Sequence, residues 1–578
     1  MSWSQEERAR EIVSRERLLF PPARGGRTSV CLAYPNRYAI GMGNLGFQAV
    51  YRILATTPGH CCERAFLPES DVGTERLISL ENRRPAGEFD VFALSISFET
   101  DYLNVPAMLE GAGLPFWSHA RDERHPLVIA GGSAIFLNPE PIADFVDIFL
   151  IGEAEEMLPE FLSFLDEARG RGLSREHLLH EAPAVAGVYV PRLRPPRYDG
   201  PTVVDVGARG VERRLVADLD RFPTSTQILA DGVAFGDMFL VEASRGCQWG
   251  CRFCAAGFMY RPLRTRSPAS LERDALRGLD VRPTIGLVGA ELASVPGIAG
   301  VCETIAEHGG RASPASLKAD CISPALASSL GRNRNRSVTI APEAGSERMR
   351  RVINKNLREP EILRAADLLV GEGVRDLKLY FMVGLPTESD ADVDAIGDLT
   401  LAIRERFLNR GKERGRIGKI TLSVNNFVPK PWTPFQWDPM VSVSDARAKL
   451  SRLRERLRAV ANVAVEGESP REAYLQTLLS RGDRRVALWI AEIHRARAGA
   501  EGWWQMLRRG RGGRLGAEGL VDPDWYVHRS YAYEEPLPWD FIDHRVRKLY
   551  LWTEREKAFL ERETPPCDVS TCKSCGAC

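Results

Sequence analysis

The chain of 578 residues lacks a net charge, because 77 Lys and Arg balance 77 Asp and Glu. This balance argues against a globally basic nucleic-acid binder, although a local basic face is compatible with it. No apolar run approaches the ~18 residues that a membrane helix needs. The charged segment 1–17 also lacks the apolar core of a signal peptide. We therefore expect a cytoplasmic protein with no membrane partner.

The cytoplasm keeps thiols reduced, so metal binding or redox chemistry is a better interpretation of the twelve cysteines than disulfide bonds. Five cysteines show no ligand-like spacing and are interpreted as small buried hydrophobic residues. The other seven fall into two tight groups, Cys247, Cys251 and Cys254, and Cys567, Cys572, Cys575 and Cys578.

Short apolar runs alternate with helical patterns in two parts of the chain. After an N-terminal arm (1–28), residues 29–170 contain the buried-strand candidates SVCLAYP, DVFALSIS, PLVIAGG and DIFLIGE. This alternation predicts a doubly wound, Rossmann-like parallel sheet, whose ligands lie at the carboxyl ends of the strands. Residues 171–230 are interpreted as a linker with a few antiparallel strands.

The second alternating region, 231–465, contains six candidate strands: FLVEAS, TIGLVGA, ASLKAD, VTIAPEAG, DLKLYFMVG and KITLSVNNF. Six strand–helix units predict an incomplete (β/α)6 barrel of the TIM type, with chemistry at the strand carboxyl ends. A mainly helical region (466–566) and a cysteine-rich tail (567–578) follow. The predicted class is α/β.

The first cysteine group lies in SRGCQWGCRFCAAGFMYRP, directly after the predicted strand FLVEAS. Thiolates are the soft ligands that iron–sulfur clusters need, and three of them leave one iron open for a small molecule. Three unrelated core cysteines are the first alternative. A zinc site is the second, but zinc usually takes a fourth protein ligand and no histidine is adjacent.

Residues 231–440 resemble the radical S-adenosylmethionine superfamily. The resemblance implies that Cys247, Cys251 and Cys254 hold a [4Fe–4S] cluster whose open iron chelates S-adenosylmethionine. No catalytic residue beyond these ligands is assigned. The resemblance further implies that Phe253 lies near the adenine. It also implies that Gly289 and Glu291 contact the methionine amino group, with Ala290 at the position where the family has a second Gly.

The resemblance also implies that Glu343 points toward the ribose hydroxyls and that Gly384 and Pro386 approach the adenine. The alternative for Glu343 is a loop carboxylate paired with Arg348. The alternative for Gly384 and Pro386 is an ordinary turn before a helix that starts at the acidic Glu388.

The N-terminal region resembles that of the cobalamin-binding subclass of the same superfamily. The segments that carry this resemblance are SISFETDYLNVPAMLEGAGLP, PLVIAGGSAIFLNPEPIADFVD and LIGEAEE. The resemblance implies a corrinoid between this sheet and the barrel mouth, with Gly131, Gly132 and Ser133 in close approach and Ser97 beside the nucleotide tail. The Asp-x-His-x-x-Gly signature of many cobalamin proteins is absent, so we expect no histidine ligand to cobalt. The alternative is a domain that binds nothing.

A resemblance over nearly the full length includes YPNRYAIGMGNLGFQAVY, NNFVPKPWTPFQW, LLSRGDRR and LPWDFID. It is to a bacterial family described only as cobalamin-binding-domain radical S-adenosylmethionine proteins, and it supplies no substrate.

The tail PPCDVSTCKSCGAC has the spacing Cys-x4-Cys-x2-Cys-x2-Cys, similar to the cysteine run of ferredoxins. We favour a second iron–sulfur cluster over structural zinc, and either over an unbound redox tail. The segment from Arg481 to Arg514 contains nine Arg but only three acidic residues, and it also contains Trp503 and Trp504. This pattern suits RNA, but a solvated helix face with two core tryptophans is favoured.

The predicted function is an enzyme that forms a 5′-deoxyadenosyl radical and, with methylcobalamin, methylates an unactivated carbon of an unknown substrate. A flavodoxin or ferredoxin is the expected electron donor. The alternatives are radical rearrangement, cyclisation or sulfur insertion, or a non-catalytic corrinoid or redox sensor. Cys31, Cys61 and Cys62 do not resemble the three-cysteine domain of methylthiotransferases.

Overall fold

The structure is a computed structural model that describes residues 3–23, 25–69, 76–207, 210–314, 317–332, 337–413, 415, 417–499, 502–510 and 519–578. Within these ranges, no helix combines the length and the apolar character needed to cross a membrane.

Six strands form the N-terminal sheet, in the spatial order His60–Leu67, Thr28–Arg37, Val91–Ser95, Leu127–Gly131, Ile148–Leu150 and Val188–Tyr189. The first five are parallel and the last is antiparallel. Four of them correspond to the predicted buried strands. His60–Leu67 is an additional edge strand, whose polar sequence HCCERAFL gives no continuous apolar run. The associated helices are Trp3–Arg15, Tyr38–Met42, Leu45–Thr56, Val105–Gly111, Ser133–Leu137, Ala154–Gly170 and Arg175–Glu181.

Seven parallel strands form the barrel, in chain order: Phe239–Glu242, Thr284–Val288, Arg311–Pro314, Ser337–Glu343, Asp376–Val383, Ile420–Asn426 and Val463–Gly467. A parallel bridge between Leu317 and Ile340 joins the first three strands to the last four. The barrel helices are Ala256–Met259, Pro268–Leu279, Ile298–Glu307, Pro324–Arg332, Glu347–Val352, Glu359–Gly371, Asp390–Glu413 and Val443–Leu457.

The barrel differs from the prediction at two places. The third strand is Arg311–Pro314, upstream of the predicted ASLKAD, of which residues 315 and 316 lie outside the described ranges. The buried Leu317 and Ala319 of ASLKAD enter the core from a loop and a short 3-10 helix. The prediction of six strands was also wrong, because Val463–Gly467 adds a seventh. That strand is half-exposed, and its apolar run of Val463 to Val465 is too short to mark a buried strand.

Short elements complete the chain. Antiparallel pairs join Arg17–Leu18 to Ile228–Leu229, Arg197–Asp199 to Thr202–Asp205, and Ser244–Arg245 to Arg264–Thr265, and a parallel pair joins Val211–Glu212 to Ile542–Asp543. The 3-10 helices are Ala86–Glu88, Glu99–Asn104, Ser118–Ala120, Glu140–Phe145, Ala182–Ala184, Pro191–Leu193, Ala319–Cys321 and Pro434–Trp437.

The C-terminal helices share one apolar core with the N-terminal sheet. They are Pro470–Arg481, Val486–Arg495, Gly502–Gly510, Pro523–Val527 and Lys548–Phe559. Trp503 and Trp504, each 7% exposed, belong to the same cluster as Phe92 and Phe149. This packing matches the favoured interpretation of the two tryptophans as core residues.

The three arginines at the start of the Arg481–Arg514 segment have hydrogen-bond or ion-pair partners within the protein. Arg481 donates to backbone oxygens, Arg484 pairs with Glu140, and Arg485 pairs with Asp483. Glu501, Arg511 and Arg514, which entered the RNA hypothesis, lie outside the described residues.

Glu153 joins the N-terminal sheet to the barrel. It follows Ile148–Leu150 and is 6% exposed. Its carboxylate accepts two hydrogen bonds of 2.8 Å from Arg264 and one of 3.1 Å from Arg245, and Arg213 lies at 3.6 Å. These charge-assisted bonds hold the buried carboxylate ionised, so its pKa is lowered although burial alone would raise it.

We predict that Glu153→Ala destabilises the protein by about 3 kcal/mol or more, because it leaves buried guanidinium groups without their shared counter-ion. The control is Glu160→Ala, which removes an exposed partner of Arg214 and is expected to cost at most about 1 kcal/mol. Unfolding midpoints measured by circular dichroism compare the two. Equal midpoints would contradict this role of Glu153.

Candidate active site

The first cysteine group lies on a loop at the carboxyl end of the first barrel strand. Gly246 turns the chain into this loop with φ +84°, and a side-chain carbon there would lie 2.6 Å from the Tyr260 carbonyl oxygen. The loop ends at the helix Ala256–Met259. The carboxyl end of a barrel strand is where (β/α) folds place their chemistry.

The three thiols of the loop are free and partly buried. Burial raises the pKa of Cys247 to about 12 and that of Cys251 to about 11, and it raises the pKa of Cys254. Cluster assembly must therefore release thiol protons, as metal binding to cysteine generally does. In the described part of the chain, no three His, Cys, Asp or Glu side chains are close enough to share one metal ion. Cubane thiolates each bind a different iron.

Arg252 anchors the loop from inside. Its side chain is fully buried and donates to the carbonyl oxygens of Arg351 (3.0 Å), Val352 (2.8 Å) and Arg562 (2.7 Å). It also pairs with the buried Glu554 at 3.1 Å. Arg252 therefore joins the cysteine loop to the end of helix Glu347–Val352 and to the C-terminal helix Lys548–Phe559.

Two buried lysines, which belong to no sequence motif identified above, lie beside the same loop. The Lys318 ammonium lies 3.7 Å from the centre of the Trp249 ring, and Lys355 pairs with Glu343 at 3.2 Å. Burial alone would lower the pKa of Lys355, but Glu343 and the neighbouring thiols raise it. The loop thus has cationic neighbours that favour thiolates. The scarcity of lysine was the available signal, since Lys318 is the first in the chain.

The partner of Glu343 is not Arg348, the residue considered as its alternative partner from the sequence. Its carboxylate meets Lys355, whereas Arg348 pairs with Asp392 at 2.5 Å. Glu343 also has φ +67°, a strained conformation for a residue with a side chain. Strain at the end of a barrel strand is typical of a functional position.

Residues predicted to contact the nucleoside lie near each other. Phe253 packs against an apolar cluster that includes Ala344 and Leu385, the neighbours of Glu343 and Gly384. The Gly384 N–H donates to the Glu388 carboxylate at 2.7 Å. Glu388 therefore closes this turn, and the helix starts two residues later, at Asp390.

The carboxylate of Glu291 accepts from the backbone N–H groups of Ala293 (2.8 Å) and Ser294 (3.0 Å). Gly289 has no room for a side chain, since a side-chain carbon would lie 2.6 Å from Ser244 Oγ. Pro386 is partly exposed in the turn after Gly384. The structure thus shows a local structural role for Glu291, and its contact with the methionine amino group stays a prediction.

A largely apolar cavity of about 530 Å³ lies between the N-terminal sheet and the barrel mouth. It brings together five of the predicted cofactor-binding residues: Ser97, Gly131, Gly132, Ser133 and Gly289. The barrel contributes Gly246 and Ala256, which flank the cysteine loop. The carboxyl ends of both sets of parallel strands therefore face one space.

The wall formed by the N-terminal sheet is fixed by short hydrogen bonds. Ser133 Oγ donates to the Ser97 carbonyl oxygen at 2.9 Å, and Asn44 donates to Ser97 Oγ at 3.0 Å. Gly132 has φ +117°, and a side-chain carbon there would lie 2.3 Å from the Ile96 carbonyl oxygen. Only glycine fits this position. None of the described residues that line the cavity is a histidine.

The cysteine-rich tail lies against the cysteine loop. The Cys567 N–H donates to the Gln248 carbonyl oxygen at 2.8 Å, one residue from Cys247. Cys575 is buried, whereas Cys578 is exposed. The two cysteine groups are thus neighbours in space although they are far apart in sequence.

Two family models match the chain in succession. Residues 46–191 match "Radical SAM proteins, N-terminal", and residues 241–400 match "Radical SAM superfamily". The second match covers the cysteine loop and the first five barrel strands. The chain therefore contains radical S-adenosylmethionine domains within a mixed α/β fold, and the predicted superfamily is confirmed.

Similar proteins cover much of the chain. An uncharacterised protein of Methanocaldococcus jannaschii is 29% identical over 464 residues, which are 80% of this chain and 90% of that protein. Among solved structures, the radical S-adenosylmethionine methyltransferase TsrM of Kitasatospora setae is similar with 13% identity and a TM-score of 0.44, covering 69% of this chain and 72% of that one. The cobalamin-dependent radical enzyme OxsB is similar with 12% identity and a TM-score of 0.47, covering 92% and 79%.

We predict that Arg252→Ala lowers the iron retained after anaerobic reconstitution, although all three loop cysteines remain. The substitution removes the bonds that hold the loop and leaves several buried groups without their partner. Iron analysis per folded chain, after gel filtration, measures the effect.

Arg358→Ala is the matched control, because Arg358 pairs with Glu563 near the surface and joins neighbouring segments. It is expected to retain iron at the wild-type level. If Arg252→Ala also retains wild-type iron, the loop does not depend on this anchor.

Proposed function

We propose that the protein cleaves S-adenosylmethionine reductively at a [4Fe–4S] cluster held by Cys247, Cys251 and Cys254. We further propose that it binds a corrinoid in the cavity between the N-terminal sheet and the barrel, for methyl transfer to an unactivated carbon. The observation that carries the proposal is this shared cavity, because the glycine loop of the sheet lines it together with Gly246 and Ala256, the residues that flank the cysteine loop.

The residues present fit both groups. Three thiols on one strand-end loop suit a cluster with one open iron, and nearby Lys318 and Lys355 favour their ionised form. Gly131 and Gly132 leave the backbone of the sheet bare on the other side, which suits close contact with a flat, bulky ligand. When bound, the cluster would supply one-electron cleavage of S-adenosylmethionine, and the corrinoid would carry the methyl group.

The chain's own residues provide position and exclusion of water. Phe253, with the apolar cluster around it, offers a surface for a nucleoside base, and the strained Glu343 offers a carboxylate at the same barrel edge. The Glu153–Arg245 pair ties the N-terminal sheet to the barrel at the cavity wall. An apolar space between two sheets limits the access of water and so protects a carbon radical from side reactions.

We predict that the anaerobically reconstituted and reduced protein forms 5′-deoxyadenosine from S-adenosylmethionine. Replacing Cys247, Cys251 and Cys254 together with Ala is expected to abolish this product, because no thiolate remains to hold the cluster. Replacing the core cysteine Cys302 with Ala is the control, and it is expected to retain the product. Chromatography of the products measures the result, and unchanged cleavage in the triple variant would contradict the proposal.

Corrinoid binding has its own test. The visible spectrum of the gel-filtered protein after incubation with methylcobalamin is expected to show bound corrinoid, and Gly132→Ala is expected to lose it. Gly113→Ala is the control, because Gly113 also has positive φ but has open space around it. If the wild-type protein takes up no corrinoid, the cobalamin part of the proposal fails and S-adenosylmethionine cleavage is unaffected.

A further inference from the structure

The tail from Cys567 to Cys578 is folded onto the molecule by its own contacts. The Asp568 carboxylate accepts from the Ser570 N–H and Oγ, and the Cys572 N–H donates to the Asp568 carbonyl oxygen at 2.8 Å. These bonds form a tight turn between the first two tail cysteines.

Arg547 holds the second half of the tail. Its guanidinium donates to the carbonyl oxygens of Lys573 (3.0 Å) and Ser574 (2.6 Å), and its N–H donates to that of Cys575 (2.9 Å). Ala577 is buried in the main apolar core. The turn and these bonds hold the thiols of Cys567, Cys572 and Cys575 on one side of the molecule, against the cysteine loop.

Arg261 lies between the two cysteine groups. Its guanidinium interacts electrostatically with the nearby Cys575 thiol, and its Nε donates to the Gly257 carbonyl oxygen at 2.7 Å. A Cβ atom added to Gly250, the residue before Cys251, would lie 3.4 Å from the Arg261 Nη2, so the guanidinium is next to the loop backbone. One guanidinium thus spans the space from the tail to the loop.

A second connection runs through Asn354. Its side chain donates to the Gly250 carbonyl oxygen at 3.1 Å and accepts from the Thr564 N–H at 2.8 Å. Together with the bond from Cys567 to Gln248, these contacts fix the start of the tail, and the segment just before it, to the Cys247–Cys251 segment of the loop.

We propose that Cys567, Cys572, Cys575 and Cys578 hold a second iron–sulfur cluster, through which electrons enter the enzyme. Four thiolates with this spacing satisfy all the irons of a cubane that needs no open position. Exposed Cys578 lies on the solvent side and buried Cys575 on the side of Arg261, so the site extends from the surface toward the cysteine loop.

A reduced flavodoxin or ferredoxin loses one electron to the tail cluster, and the tail cluster passes that electron to the cluster of the loop. Each cluster alternates between its oxidised and its one-electron-reduced state, and no bond to carbon forms or breaks in these steps. The acceptor role of the loop cluster depends on the proposed function, whereas the presence of a tail cluster does not.

The first test is metal content. We predict that a Cys572→Ala/Cys578→Ala variant falls from about eight irons per chain to about four after anaerobic reconstitution. This variant leaves Cys567 and the buried Cys575 in place, so it protects the fold. Cys61→Ala, at a half-buried cysteine of the edge strand, is the control and is expected to keep the full iron content. Replacing all three loop cysteines is expected to leave about four irons, held by the tail.

Zinc in place of iron at the tail, or wild-type iron in the Cys572→Ala/Cys578→Ala variant, would overturn the proposal. Electron paramagnetic resonance of the reduced proteins gives an independent readout. The wild-type signal is expected to contain two components, of which each set of cysteine substitutions removes one.

The second test compares two reductants, with 5′-deoxyadenosine formation as the readout. In the Cys572→Ala/Cys578→Ala variant, the ratio of the rate with reduced flavodoxin to the rate with titanium(III) citrate is expected to fall by about tenfold or more, which corresponds to about 1.4 kcal/mol on the barrier. Titanium(III) citrate is small and can reduce the loop cluster directly. An unchanged ratio would overturn electron entry through the tail.

The two proposals fail differently. If the wild-type protein forms no 5′-deoxyadenosine with titanium(III) citrate, the proposed function fails, while the iron content of the variants still decides the second cluster.

Discussion

The arrangement of the active site depends on the buried guanidinium of Arg252. This residue lies between Cys251 and Phe253, so its position fixes a thiol on one side and an aromatic ring on the other. Its hydrogen bonds reach three backbone carbonyl oxygens and the buried Glu554. A buried arginine is tolerated only when such partners are present. The loop, the helix Glu347–Val352 and the helix Lys548–Phe559 must therefore assemble together, and the tail follows directly from that last helix.

A second buried ion network sets the distance between the two sheets. Glu153 comes from the N-terminal sheet, and Arg245 and Arg264 come from the start of the barrel. Their pairing places the carboxyl ends of both sets of strands around one cavity, with the cysteine loop at its border. The C-terminal helices reinforce this arrangement, because they complete the core of the N-terminal sheet. The site thus belongs to the assembled chain and not to either sheet alone.

The sequence was most informative where the signal is local. Cysteine spacing identified the loop, and continuous apolar runs identified the central strands, such as Val91–Ser95 and Asp376–Val383. Elements in which the apolar run is short or interrupted were missed or displaced, namely His60–Leu67, Arg311–Pro314 and Val463–Gly467. The pairs Arg252–Glu554 and Glu153–Arg264 join residues that are 302 and 111 positions apart, and periodicity or spacing carries no information at that range. The partner of Glu343 was likewise unpredictable, since the fold decides between Lys355 and Arg348.

We propose that Cys247, Cys251 and Cys254 hold an iron–sulfur cluster at the edge of the cavity between the sheets. Anomalous scattering at the iron edge, measured on crystals of the anaerobically reconstituted protein, locates such a cluster. We expect a strong iron peak enclosed by these three thiols and beside Lys355, at the end of the cavity lined by Gly246 and Ala256. Fully reconstituted crystals with no iron peak at this loop would contradict it.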